Sequence, residues 1–386
     1  MSALTTMRPA DVVVCGAGPA GAAAATVLAR GGARVVLVDR VSFPRDKVCG
    51  DGILPDAMGA LTALGVSVDG LGRAVSALRL ETSTGTSLRV PVAGRVVRRR
   101  DLDAAVLAGA VAAGAELVPA AELVGFERDE RGFRAARLAA ASGPLRVQGR
   151  AFVLATGAAQ RPRAMAALAT RRQKGAVALR GYVSGTSLPD DELRMALLAE
   201  LALGYAWAFP MQGGQWNVGC GVMAGTAGGV SLTRVADAFR AACGGGPWLA
   251  PPRGAPLLTF YPDGLVSRAN LVAVGDAAGL TRPFSGDGIG PALVSGALAG
   301  ESLLASPGAP GARRYRAALA ARYAGDFRAW RFGMLFLRHG RIVDAVVGRA
   351  GRYPGALRRL SGVLGGTVSA RRVLSPVGLV RLLLGR

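Results

Sequence analysis

Residues 11–40 read DVVVCGAGPAGAAAATVLARGGARVVLVDR, and this stretch decides the fold. Val12 to Val14 are β-branched and continuous, the pattern of a strand buried on both faces. Gly16, Gly18 and Gly21 follow at once in G-x-G-x-x-G spacing. An alanine-rich helix is expected from about Ala20 to Arg30, stopped by Gly31 and Gly32. Val35 to Val38 make a second buried strand, closed by Asp39. Each part suits a dinucleotide. Gly16 allows the tight turn, Gly18 lets the backbone approach a pyrophosphate, and Gly21 lets the helix pack close to the sheet. Pro19 and Ala20 stand at the helix N-terminus, whose free N–H groups favour phosphate. Asp39, roughly 20 residues past the glycines, can accept hydrogen bonds from a ribose, with Arg40 beside it.

Composition narrows the setting. At 386 residues the chain is long enough for two or three domains. Its 51% hydrophobic content fits a globular protein. The net charge of +22 is almost all arginine, since Lys47 and Lys174 are the only lysines. Such a field favours anionic partners. No nucleic-acid motif accompanies it and aromatics make up 5%, so a diphosphate or an anionic lipid fits better than nucleic acid. His339 is the only histidine, and Cys15, Cys49, Cys220 and Cys243 have no CxxC spacing. A zinc site and a histidine triad are therefore not expected. Nor is a disulfide framework, so a reducing cytoplasm is the expected setting. No signal peptide is recognised. The glycines and flanking strand of Val12 to Leu28 explain that apolar stretch without a membrane span.

Further along, Val41 to Gly52 reads as a loop, and a helix is expected from Asp56 to Leu64. Val75 to Val97 reads as antiparallel strands around the turn STGT. A helix over Arg98 to Gly114 and one strand over Glu116 to Phe126 follow. A hairpin then leads into the strand Ala151 to Ala155, which ends at Thr156 and Gly157. In the middle, Val177 to Val183 and Trp216 to Val222 alternate as strands do. Asp191 to Glu200 leans to strand, Ser231 to Cys243 to helix, and Pro247 to Pro256 to a connection. Asn270 to Val274 is another buried strand, and helices dominate after about Arg313. The tail from Tyr353 to Arg386 mixes leucine and valine with arginine. Two readings fit it, a helical cap on the domain or a basic amphipathic surface that docks on a membrane.

Three more segments join the first: FPRDKVCGDG at 43–52, GYAWAFPMQGGQWNVGCG at 204–221, and GDAAGLTRPFSGDGIG at 275–290. Together they resemble the geranylgeranyl reductase family of flavoproteins, which shares the fold of para-hydroxybenzoate hydroxylases and flavin-dependent halogenases. The resemblance reaches to about Leu304. It implies a mixed α/β (α+β) fold, with a Rossmann-like FAD-binding domain of the glutathione reductase type. That domain is expected to be discontinuous, over 8–75, 95–173 and 257–310. An antiparallel-sheet substrate domain over 76–94 and 174–256 and a helical region over 311–386 complete the expectation.

The resemblance also implies roles. Gly275 and Asp276 meet the ribityl chain of FAD, and Gly286, Gly288 and Ile289 bring backbone N–H groups to the flavin ring. Arg99 helps hold FAD. Thr156 and Gly157 stand where hydroxylases of this fold carry Asp-Gly, a departure that counts against hydroxylase-style control by NADPH. Cys49 and Gly50 lie beside the flavin, where a protonated thiol can supply a proton to a substrate carbon. Tyr205 is the alternative donor. Cys15, Cys220 and Cys243 read as packing residues. Alternation places Tyr205, Trp207 and Phe209 of the Y-x-W-x-F-P motif on one strand face, able to line a tunnel for an apolar chain.

The implied activity is FAD-dependent reduction of isoprenoid double bonds. NADPH or another reductant would act as transient donor, because no second dinucleotide fingerprint occurs. The alternatives are a flavin monooxygenase or halogenase-like enzyme of the same fold and, from another class, a flavoprotein with a binding role. The halogenases' catalytic lysine has no counterpart, since Lys47 belongs to the flavin loop and Lys174 to a basic run. A lipophilic isoprenoid partner and peripheral contact with the cytoplasmic membrane are expected, and the oligomeric state is left open.

Overall fold

The valines at 12 to 14 form the strand Ala10–Cys15, and Val35–Val38 forms its parallel neighbour. The computed structural model describes residues 5–6, 9–169, 175–226 and 229–383; Lys174 lies outside them. Between the two strands runs the helix Pro19–Arg30. It opens on a proline, whose fixed φ and missing N–H suit a first turn. The sheet order is Ser267–Arg268, Leu271–Ala273, Gly143–Leu154, Ala10–Cys15, Val35–Val38, Glu116–Val118. These neighbours are parallel except the short hairpin at one edge.

Strand Gly143–Leu154 serves two layers. Its first half pairs antiparallel with Gly132–Ala140, and its second half pairs parallel with the first strand. Helix Ile289–Ala305 packs against Pro19–Arg30. Gly296 makes this close approach possible, since a Cβ there would collide with the Ala20 carbonyl. The packing brings two glycine-bearing turns together at the carboxyl ends of the parallel strands, where doubly wound sheets bind ligands.

The second sheet runs Arg253–Leu258, Gly175–Ser184, Gln215–Met223, Gly204–Pro210, Glu192–Ala196, Arg73–Glu81, Ser87–Val96, Gly52–Ile53. Its neighbours are antiparallel except Glu192–Ala196 on Arg73–Glu81. Two segments differ from expectation. The stretch read as a connection ends in the strand Arg253–Leu258, because Pro256 lies on an edge strand, where a missing N–H is tolerated. The single strand expected over Glu116 to Phe126 is two, Glu116–Val118 and Ala121–Asp129. They are parted at Pro119 and at Ala120, whose φ of 51° is left-handed.

At the C-terminal end, helices Gly340–Arg352 and Pro354–Leu364 pack on Ser87–Val96. Their Val343, Val347, Ala356 and Val363 join the core of the second sheet, so Pro354–Leu364, the first helix of the tail, is a cap. The helix Pro376–Leu383 follows. No helix among the described residues is long and apolar enough to cross a membrane.

Candidate active site

A cavity of about 620 Å³ lies between the strand ends of the first sheet and the face of the second. Every site residue expected from the sequence lines it except Gly21. Gly21 sits behind the turn, where a Cβ would collide with the Gly16 carbonyl, so its part is packing.

One half of the lining is polar and rich in glycine. Gly16 has a φ of 108°, and a Cβ there would strike the Ala155 carbonyl. Gly18 has room around it, its nearest neighbour being an Arg45 nitrogen 3.5 Å from a built Cβ. Asp39 accepts from the N–H of Ala17 at 2.8 Å and of Val41 at 3.1 Å, so its carboxylate braces the glycine turn. Asp276 accepts from the Thr281 hydroxyl at 2.9 Å and faces Lys47 at 3.6 Å. Thr156 and Thr259 line the same space with buried hydroxyls that have no partner among the described residues. Unpaired buried hydroxyls are costly. A bound group with phosphates and hydroxyls would satisfy them.

Arg99 is buried and forks onto Asp103 one turn along its helix, at 2.7 and 2.8 Å. Arg45 reaches the same carboxylate at 3.0 Å. Burial works against the charge of Arg99, but the fork on Asp103 outweighs it and holds the guanidinium firmly protonated. Arg99 lies beside the Cys49 thiol. Burial pushes that thiol above its ordinary value, so it keeps its proton. Arg99 and the Asp51 N–H pull the other way by favouring the thiolate. Cys49 is a partly exposed free thiol on the cavity wall; Cys15, which also borders the cavity, and Cys220 and Cys243 are buried.

Strand Gly204–Pro210 turns Ala206 and Ala208 into the core and Tyr205, Trp207 and Phe209 to the cavity. Consecutive ring centres stand 5.8 and 6.3 Å apart. Gly50 packs against this wall, a Cβ there lying 3.2 Å from the Phe209 ring. Beyond the rings the lining turns apolar, through Leu203, Met223 and Leu257. Burial pushes the Tyr205 hydroxyl up, with Asp287 and Cys49 adding to the shift, and the hydroxyl donates to the Ser285 carbonyl.

Two clusters went unrecognised in the sequence. Asp51, fully buried, accepts from Tyr182 and Asn217 at 2.8 Å each and from the Arg99 N–H at 3.2 Å. Arg282 bridges Asp287 and Asp56, the latter at 2.6 Å, and ties the loop after Asp276 to helix Pro55–Ala63. A lone asparagine within the buried run Trp216–Val218 was the available signal for the first cluster.

Residues 9–180 match the FAD binding domain family. A menaquinone reductase of Mycobacterium tuberculosis is 34% identical over 320 residues, covering 76% of each chain. A digeranylgeranylglycerophospholipid reductase of Methanosphaera stadtmanae is 29% identical over 313 residues, covering 76% of this chain and 75% of that one. Among solved structures, a geranylgeranyl bacteriochlorophyll reductase-like protein from Thermoplasma acidophilum superposes with a TM-score of 0.83. It covers 99% of this chain and 96% of its own at 19% identity, a likeness of fold.

Proposed function

Because the chain belongs to the geranylgeranyl reductase family of FAD-dependent oxidoreductases, we propose that it saturates carbon–carbon double bonds in a prenylated lipid or quinone. The observation that carries this reading is the meeting of Cys49–Gly50 with the wall of Tyr205, Trp207 and Phe209, where the polar lining gives way to an apolar one. The glycine turns, Asp39, Thr156 and Asp276 would hold FAD, which when reduced supplies a hydride to an alkene carbon.

The residues of this chain do the rest. The aromatic wall seats an apolar chain and excludes water. Cys49 gives its proton to the second alkene carbon, and the sulfur is left as a thiolate. Arg99 and the Asp51 N–H stabilise that anion, and water returns the proton. The alkene has then gained one hydride and one proton. Tyr205 is the weaker donor, since its proton is engaged by Ser285. NADPH or another reductant would recharge bound FAD at the same cavity.

We infer further that the protein works in the cytoplasm at a bilayer surface. All four cysteines are free thiols, which suits a reducing compartment. Residues 325–386 hold twelve arginines and two acids. Leu335, Val377 and Val380 are 59%, 62% and 55% exposed amid them, on helices that pack around Gly340–Arg352 or its neighbours. An exposed apolar face flanked by arginine suits anionic lipid.

The test is product mass spectrometry with chemically reduced FAD, supplied with geranylgeranyl diphosphate and with a polyprenyl menaquinone, in anaerobic and aerated arms. Hydrogen gain without oxygen in the anaerobic arm is expected. Product only in the aerated arm, carrying oxygen, would overturn the reading in favour of a monooxygenase.

A further inference from the structure

Asn217 is fully buried at the junction of the two sheets, and every polar atom of its amide is in use. Its nitrogen donates to the Cys49 carbonyl and to the Asp51 carboxylate, each at 2.8 Å. Its oxygen accepts from the Trp207 indole N–H at 2.9 Å. An amide side chain offers two donors and one acceptor group, so this satisfies it. The bonds join two segments: the thiol-bearing loop, held both at Cys49 and at the carboxylate two residues further on, and the central ring of the aromatic wall.

The loop it holds is not relaxed. Asp51 has a φ of 63°, in the left-handed region that a residue with a Cβ rarely occupies. Such a conformation persists where its surroundings fix it. Here the Tyr182 hydroxyl, the Asn217 amide and the Arg99 N–H all fasten the Asp51 side chain, and Val97 N–H bonds its carbonyl at 2.9 Å. The turn so held keeps Asp51 beside the Cys49 thiol. Gly50 lets the loop lie close on the wall, since a Cβ there would stand 3.2 Å from the Phe209 ring and 3.5 Å from the Trp207 nitrogen.

We propose that Asn217 is a positioning residue: by bonding Cys49, Asp51 and Trp207 at once, it sets the thiol at a fixed place over the aromatic wall. The proposal rests on Cys49 as proton donor. Without Asn217 the thiol loop and the ring wall lose their shared anchor, and the sulfur no longer meets the substrate carbon in line. The charged or titratable groups facing the thiol are Arg99 from helix Arg99–Ala112, Asp51 from its own loop and Tyr205 from the aromatic strand. Asn217→Ala removes no charge but takes from Asp51 a hydrogen bond that favours its carboxylate, so alkylation is followed across pH, where lost positioning changes the rate at every pH and altered titration moves the midpoint.

Two measurements on the FAD-loaded protein test this. The first is the rate of Cys49 alkylation by iodoacetamide, read by peptide mass spectrometry; the other three cysteines are buried and serve as controls. N217A is expected to speed alkylation severalfold while flavin content is kept. An unchanged rate overturns the clamp. The second is a double-mutant cycle on single-turnover reduction. N217A alone should slow turnover about 10- to 100-fold, as misplacement of a reacting group does. In the C49A background it should add nothing, since Asn217 acts through the thiol. Losses that multiply would mark a general structural role and overturn the proposal. If C49A turns over like the parent, the proton-donor reading fails, and the clamp is judged on alkylation alone. Should N217A not accumulate, N217S removes fewer atoms and carries both measurements.

Discussion

The Tyr205 hydroxyl donates to the Ser285 carbonyl, joining the aromatic strand to the loop that follows Asp276. A proton held in that bond, on a phenol whose pKa burial has raised, is poorly placed to leave for a substrate carbon. The thiol of Cys49 has no such commitment. Cys49→Ala is therefore expected to lower single-turnover reduction by about 100-fold or more, the usual loss for a general acid. Tyr205→Phe keeps the ring and should cost a few-fold through the loosened loop. Anaerobic stopped-flow on both variants decides the order, and an equal or larger loss in Y205F would transfer the proton to tyrosine.

Gly16 and Gly18 stand two residues apart in one turn, yet they fail differently when a methyl group is added. At Gly16 the backbone is left-handed and the methyl meets the Ala155 carbonyl, so Gly16→Ala should unfold or strongly destabilise the chain. Gly18 has an ordinary φ of −68° and open space beside it. Gly18→Ala should melt within about 1 kcal/mol of the parent as apoprotein. It should nonetheless retain much less FAD, because the methyl occupies the ground a pyrophosphate needs. Thermal melts of stripped protein beside flavin absorbance would separate the two effects. Equal flavin retention in G18A would remove that glycine from the phosphate site.

The contrast illustrates what was legible in the sequence. The crossover 11–40 carries its geometry locally: valine runs, glycine spacing and a closing acid stand in order on one short segment. The aromatic strand was equally plain, because alternation alone puts Tyr205, Trp207 and Phe209 on one face. The Asp51 cluster was not, since it depends on register. Tyr182 and Asn217 sit opposite one another only because Gly175–Ser184 and Gln215–Met223 pair as they do. Nothing within either segment announces the partner. The Arg282 cluster likewise needs helix Pro55–Ala63 to approach a loop more than two hundred residues later. Pro256 misled for another reason: proline argues against a central strand, and only the edge position makes room for it.

Val377 and Val380 lie on the last described helix, largely exposed, with Arg381 beside them. Apolar side chains of this kind drive insertion into the headgroup region, while arginine adds attraction to anionic lipid. The pair Val377→Asp and Val380→Asp reverses both contributions. It should abolish co-sedimentation with vesicles containing phosphatidylglycerol and leave the reduction of a soluble short-chain substrate near that of the parent. Binding of the parent should also weaken as salt is raised. Co-sedimentation that survives both the double substitution and high salt would place the membrane face elsewhere.

Arg282 lies between Asp287 and Asp56 in a buried cluster, and burial pushes the Asp287 pKa up from 3.8 to about 6, Arg282 opposing and Asp56 reinforcing the shift. The direction fixes the pH dependence. A carboxyl that titrates higher in the folded chain than in the unfolded one binds its proton more tightly when folded. Its contribution to stability is thus greatest below about pH 4, declines as pH rises towards 6, and is level above that. Carboxylates with lowered values, such as Glu127 and Asp344, slope the other way, so the parent curve alone hides the effect. Asp287→Asn removes the titration and keeps the shape. Urea unfolding of parent and variant at matched pH should give a stability difference that shifts against the parent between pH 4 and 6 and is flat above. The same protonation weakens the hold on Arg282, and with it the loop that carries the Ser285 carbonyl. Flavin release should accordingly quicken below pH 6 in the parent and be insensitive to pH in D287N. A stability difference that is constant from pH 4 to 8 would mean that Asp287 titrates alike in both states, and that Arg282 compensates its burial in full.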